Sequence, residues 1–300
     1  MPEQSILQTQ LAGFATHTVA TASGTVAWRE AGAQTAAAMV LLHGIGSASG
    51  SWLQQLRAAQ NASLPCRLLA WDAPGYGASQ ALAMAQPGAQ DYAQRLWAWL
   101  DALGLQKIHL VGHSLGALMA AAAAQLQAGR VRSLCLLAPA PGYGRADAAL
   151  RQSKLQGRLQ ALAALGPQGM AHQRGAAMLS PQASAEQLAY VQSTMAQIDP
   201  AGYTQAAHML VDADLASSLA GLQCPLVVAS GSADSITSQE ACQGLAKAFG
   251  APYVGLGAVG HACALEGAVA VNQLLHEQVR AQKPPDVQVR VLANHTQVHP

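Results

Sequence analysis

Charge is scarce in this chain. Sixteen Lys and Arg stand against fifteen Asp and Glu in 300 residues, a net charge of +1 with His neutral. That balance gives no electrostatic case for a nucleic-acid or anionic-membrane partner. Long apolar runs are missing too. The longest small-apolar run, Ala117 to Ala124, lies inside a longer helical pattern and is far shorter than a membrane span of roughly 20 residues. Cysteine is sparse: Cys66, Cys135, Cys224, Cys242 and Cys263 form no C-x-x-C pair and no metal-like cluster. An odd, scattered set fits the reduced thiols of a cytoplasm, and Cys135 reads as a small core residue. The opening MPEQSILQTQ has neither the basic nor the apolar region of a signal peptide. A cytoplasmic location is therefore expected.

What is plentiful is apolar residue content. Hydrophobic residues make up 51% of the sequence, enough at this length for a sizeable core in one large domain or two modest ones. Residues 16 to 23 and 25 to 32 read as two strands meeting near Gly24. AMVLLHG, CRLLAWDAPGYG, IHLVGHS, VRSLCLLAPAPG, PLVVASGSAD and APYVGLGAVGH then follow, with helical patterns between them. Short apolar runs bounded by Gly, Pro and Asp are the pattern of buried parallel strands. Their alternation with helices predicts an α/β fold with a doubly wound sheet covered on both faces. DYAQRLWAWLDALGL spaces Tyr92, Leu96, Trp99, Leu100 and Leu103 as one helix face and stops near Gly104. LEGAVAVNQLLHEQVRAQK reads as a closing helix before Pro284 and Pro285.

From about Arg145 to Leu215 no parallel strand is evident, only helical pattern punctuated by LGPQG, LSPQ and IDPAG. A helical insertion between two sheet strands is most simply a lid. The expected division is an α/β core over 1–144 and 216–283, a lid over 145–215, and a poorly ordered tail over 284–300.

LVGHSLGAL places Ser114 between Gly112 and Gly116. Such a pentapeptide arises by chance in Gly- and Ala-rich chains, but here it joins a strand to a helix, the setting of a nucleophile elbow. A nucleophilic serine needs a base, and the base needs an acid to orient it. Asp234 lies just past one apolar strand and His261 just past the next, in the order Ser, Asp, His. All three fall at strand carboxyl ends, the edge where open α/β sheets place ligands. Asp212 and Asp214 also lie between Ser114 and His261, but in a polar segment rather than at a strand end. Asp72 precedes the serine and reads as shaping its own loop. His113 neighbours Ser114 and is expected to point elsewhere; the remaining histidines read as structural or surface residues. An oxyanion hole needs two backbone amides. Leu115 offers one, and Ile45, in the loop after MVLLHGIG, is the natural second.

LLHGIG, WDAPGYGAS, LVGHSLG, GSADSIT and GHACALE, taken together, resemble the successive landmarks of the α/β-hydrolase superfamily over about residues 16 to 282. The resemblance implies an eight-stranded, mostly parallel sheet, a lid after the sixth strand and no cofactor. Serine at the elbow is unlike the haloalkane dehalogenases and epoxide hydrolases, which carry a carboxylate nucleophile there. The subgroup most similar contains small esterases, enol-lactonases and meta-cleavage-product hydrolases. The last commonly carry Trp after the catalytic histidine, where this chain has Ala262. No His/Cys/Asp set has metal-ligand spacing.

Three readings follow: a carboxylic-ester or lactone hydrolase, a carbon–carbon hydrolase acting on dienones, and a non-catalytic ligand-binding member of the fold. For the substrate, the lid offers Arg145, Arg151, Lys154, Arg158 and Arg174 against Asp147 over residues 144 to 185. Arg151, Lys154 and Arg158 share a helix face. They are candidates for meeting an anionic group on a small acyl substrate, although charge runs are more often solvated faces.

Overall fold

The computed structural model describes residues 5–280 and 290–291. Nine strands form one sheet: β1 (Thr16–Thr21), β2 (Gly24–Ala31), β3 (Ala38–Leu42), β4 (Arg67–Asp72), β5 (Ile108–His113), β6 (Val131–Leu137), β7 (Leu226–Ser230), β8 (Tyr253–Gly255) and β9 (Arg290–Val291). Their spatial order is β1-β2-β4-β3-β5-β6-β7-β8-β9. β2 runs antiparallel to β1 and β4, and every other pairing is parallel. The first eight are the strands expected from the sequence. The two-residue β9 adds a ninth from the tail, whose other residues lie outside those described.

The helices are α1 (Ile6–Ala12), α2 (Leu53–Gln60), α3 (Ala89–Ala102), α4 (Leu115–Leu126), α5 (Ala148–Arg174), α6 (Ala185–Met195), α7 (Pro200–Asp212), α8 (Leu215–Leu219), α9 (Gln239–Ala248), α10 (Cys263–Glu266) and α11 (Ala268–Arg280). Strand alternation divides the core into two layers. In β3, Ala38, Val40 and Leu42 join one buried cluster while Met39 and Leu41 join the other. β6 does the same, with Leu134 and Leu136 on one side and Cys135 and Leu137 on the other. Side chains two apart share a face, so a strand buried on both faces must be apolar throughout. That is why AMVLL is continuous rather than alternating.

α4 is buried at every position from Leu115 to Ala124. It has no polar stripe because the sheet covers one side and α3 and α8 cover others. Its alanines allow that close approach on three sides. α3 turns Trp99 into an aromatic stack, 6.3 Å from Trp71 and 5.6 Å from Trp28 by ring centroids.

Between β6 and β7 the regular structure is helical, α5 to α8 and one short 3-10 turn. α5 is broken at Gly166, whose φ of +60° leaves the helical region just before Pro167. The IDPAG signal is the start of α7: Asp199 accepts from the Gly202 amide and Pro200 takes the first turn. α1 was not anticipated. Its signal was present, because Ser5 and Gln8 form a reciprocal capping box.

Candidate active site

The site begins at the strained turn between β5 and α4. Ser114 has φ +53° and ψ −116°, a left-handed conformation costly for a residue with a side chain. The flanking glycines are needed for proximity. A Cβ on Gly116 would fall 2.2 Å from the Leu42 carbonyl oxygen, and one on Gly112 would fall 2.5 Å from the Gly116 oxygen. With both absent, α4 packs directly on β5 and β3, and the Ser114 side chain projects from the strand end.

Asp234 follows β7 and His261 follows β8. The three side chains meet. His261 Nδ1 lies 2.8 Å from Asp234 Oδ2, and His261 Nε2 lies 2.9 Å from Ser114 Oγ. A carboxylate cannot donate, so Nδ1–H donates to Asp234 and Nε2 is left to accept the serine hydroxyl proton. All three residues are buried. Burial pushes the Asp234 carboxyl up, but the hydrogen bond and charge of His261 and the amides of Thr237 and Ile236 outweigh it, holding the group below the usual range.

The serine faces a cavity of about 140 Å³. Ile45 and Leu115 line it, and among the described residues neither amide is used in the surrounding backbone hydrogen bonds. The Ile45 loop is fixed from beneath by His43. Its Nε2 accepts from the Ala73 amide at 3.0 Å, so Nδ1–H donates to the Gly44 carbonyl at 2.9 Å. Asp72, expected to shape its own loop, reaches across to the neighbouring one and accepts from the Ser49 amide at 2.7 Å.

A family profile described as alpha/beta hydrolase fold matches residues 37–268. The chain belongs to this family. Among curated proteins, it is 26% identical over 210 residues to 3-oxoadipate enol-lactonase 1 of Acinetobacter baylyi, covering 69% of this chain and 75% of that one. It is 36% identical over 121 residues to the dihydrolipoyllysine-residue acetyltransferase component of the acetoin cleaving system of Pseudomonas putida. That match takes in 40% of this chain and only 31% of the relative, so it spans under a third of that protein's length. Among solved structures, the enol-lactonase of Burkholderia xenovorans LB400 superimposes with a TM-score of 0.77 at 22% identity, over 88% of this chain and all of that one.

Three positioning groups of this α/β-hydrolase site were not read from its sequence. Thr237 donates through Oγ1 to Asp234 Oδ2 at 2.8 Å, while its amide and that of Ile236 donate to Oδ1 at 3.0 and 2.8 Å. The signal was the D-S-I-T spacing, an Asp followed three residues later by a hydroxyl. Glu266 accepts from the amides of Gly260 and Ser180 and from the Ser180 hydroxyl. The Ala262 amide donates to the Met178 carbonyl at 2.7 Å. The loop carrying His261 is thereby tied to the segment between α5 and α6. His113 is the third: its Nε2–H donates to the His261 carbonyl at 2.8 Å.

The basic residues divide into two groups. Arg145 pairs with Asp214 at 2.6 Å and Arg151 with Asp212 at 3.3 Å, and neither lines the cavity. The runner-up acids and the two outer arginines thus neutralise one another, which removes Arg145 and Arg151 from the substrate wall. Arg158 does line it, joined by Arg174.

His113 also makes stability depend on pH. Burial pulls its pKa down to about 3, and that of His109 down to about 4. Below about pH 6.5 the unfolded chain takes up protons that these folded imidazoles refuse, so stability falls as pH falls toward the folded values. His113 alone should cost about 2 kcal/mol between pH 7 and pH 5. Urea unfolding at the two pH values measures the drop, and it should shrink in His113→Asn.

Proposed function

We propose that this chain is a serine hydrolase that cleaves a small carboxylic ester or lactone through an acyl-enzyme intermediate. The observation that carries this reading is the unbroken hydrogen-bond chain from Asp234 through His261 to Ser114. Ser114 Oγ attacks the substrate carbonyl carbon as its proton passes to His261 Nε2. Asp234 keeps the imidazole in the tautomer that can accept it and stabilises the imidazolium that forms. The amides of Ile45 and Leu115 receive the developing oxyanion. When the tetrahedral intermediate collapses, His261 returns the proton to the leaving alkoxide. In a lactone that alkoxide stays tethered to the acyl chain. Water then attacks the acyl-enzyme, giving a proton to His261, which passes it to Ser114 Oγ as the acyl–oxygen bond breaks and the acid leaves.

The helices over residues 145–215 act as the lid in this reading. α5, α6 and α7 each contribute residues to the cavity lining, among them Met170, Met195 and Leu210. An apolar wall excludes water and favours an apolar acyl or alcohol portion. Kinship with an enol-lactonase over 69% of the chain supports a carbonyl–oxygen bond as the target.

The test is labelling with a fluorophosphonate, which reacts only with an activated serine. Ser114 should label and a p-nitrophenyl ester should block it. No label, together with no turnover of an ester and lactone panel, overturns the reading. Turnover of a ring-fission dienone with inert esters would transfer the same three residues to carbon–carbon cleavage.

A further inference from the structure

The cavity wall carries a charge imbalance. Twenty-eight residues line it and none is Asp or Glu, whereas Arg158 and Arg174 both do. Among the described residues, no carboxylate lies within 4.0 Å of either guanidinium. Arg158 is half-buried; its Nε is enclosed without a partner, and Nη1 meets only the Lys154 carbonyl at 3.3 Å. Lys154, exposed and outside the lining, sits 5.9 Å above the ring of Tyr143, a lining residue. Tyr203 lies close to both arginines. Burial raises its phenol above the ordinary value, and Arg174 and Arg158 pull it back. Arg174 is exposed, so this cost falls on Arg158: a guanidinium partly drawn from water into an apolar wall without a counterion is unfavourable, and an anion reaching the cavity would relieve it.

A solvated helix face explains the outer arginines, which already have Asp212 and Asp214. It does not explain why Arg158 and Arg174, without a carboxylate partner among the described residues, both stand on the wall of the cavity that holds Ser114. We propose that Arg158 and Arg174 form a carboxylate subsite, so that the substrate is an ester or lactone carrying a carboxylate several bonds from the scissile carbonyl. This rests on the reading of Ser114 as the nucleophile. The planar fork of arginine suits a carboxylate better than a point charge does. Rigid fixation at that end would hold the carbonyl against the serine.

Two matched pairs test it, one for each side of the scissile bond. p-Nitrophenyl hydrogen adipate is compared with p-nitrophenyl hexanoate, and 4-acetoxybenzoate with its methyl ester. The wild type should favour the anionic member of at least one pair by about tenfold or more in kcat/KM. The preference should shrink as ionic strength rises. Arg158→Gln and Arg174→Gln should each lower that ratio about fivefold or more, with the neutral ester as reference within each variant. Arg158→Lys should recover part of it. Arg151→Gln, on the same helix but paired outside the cavity, should leave the ratio alone.

Turnover of neutral esters with no anionic preference in either pair overturns the subsite while the hydrolase reading stands. If Ser114 neither labels nor turns over any ester, the hydrolase reading fails. Calorimetry with adipate then decides the subsite by itself. Binding that is lost in both Gln variants supports it, and no binding to wild type overturns it.

Discussion

Replacing Ser114 with alanine removes turnover of every acyl substrate, on the order of a thousandfold or more, and leaves the chain folded. The substitution takes away one oxygen and nothing that packs. Ser114 carries its strain in the backbone, at φ +53°, and alanine at that φ is strained to a similar degree. The cavity, the amides of Ile45 and Leu115 that line it, and the His261–Asp234 hydrogen bond all survive. The measurement is kcat beside a thermal melt: kcat collapses while Tm moves by only a few degrees. A variant that unfolds would show the hydroxyl to be structural, and one that keeps near wild-type turnover would move the nucleophile elsewhere.

Asp234→Asn is expected to lower kcat by about three to four orders of magnitude with KM little changed. The argument is one of proton placement. The amides of Ile236 and Thr237 donate to Oδ1 of this side chain, so an amide oxygen is drawn to that position. The NH2 group then faces His261 Nδ1, 2.8 Å away in the native chain. A donor there forces Nδ1 to accept and puts the imidazole proton on Nε2, aimed at Ser114. The base is present in the right place with the wrong nitrogen protonated. Because both side chains have the same shape, circular dichroism and Tm should barely change. A variant retaining a tenth or more of wild-type kcat would show that Asp234 does not set the tautomer.

The site was legible in the sequence to the extent that chain order and strand ends determine it. Ser114, Asp234 and His261 each follow a continuous apolar run, and a parallel sheet brings the carboxyl ends of such runs to one edge. Cys135, buried in β6, was likewise readable from its immediate neighbours. Arg145 and Arg151 were not. Their partners Asp214 and Asp212 lie 69 and 61 residues away, and helical spacing cannot say which face of α5 meets α7. Arg174 was seen only as part of a basic stretch; the break at Gly166 and the folding back of the helices bring it to the cavity beside Arg158. His113 was set aside as pointing away from the serine. Instead it lines the same cavity, its ring 4.9 Å from that of His261, and it donates to the His261 backbone, a contact 148 residues distant in the chain. Thr237 and α1 had local signals that hydrophobic periodicity alone does not register.

The ties around His261 bear on how this protein could be re-engineered. Glu266 grips Ser180 and Gly260 together, and Met178 holds the amide of Ala262, so the covering helices and the imidazole share one anchorage. Those helices are therefore no exchangeable module. A chimera that swaps residues 145–215 for another hydrolase's insert, to change which substrates enter, would also untether His261 unless the 178–180 segment travels with the core.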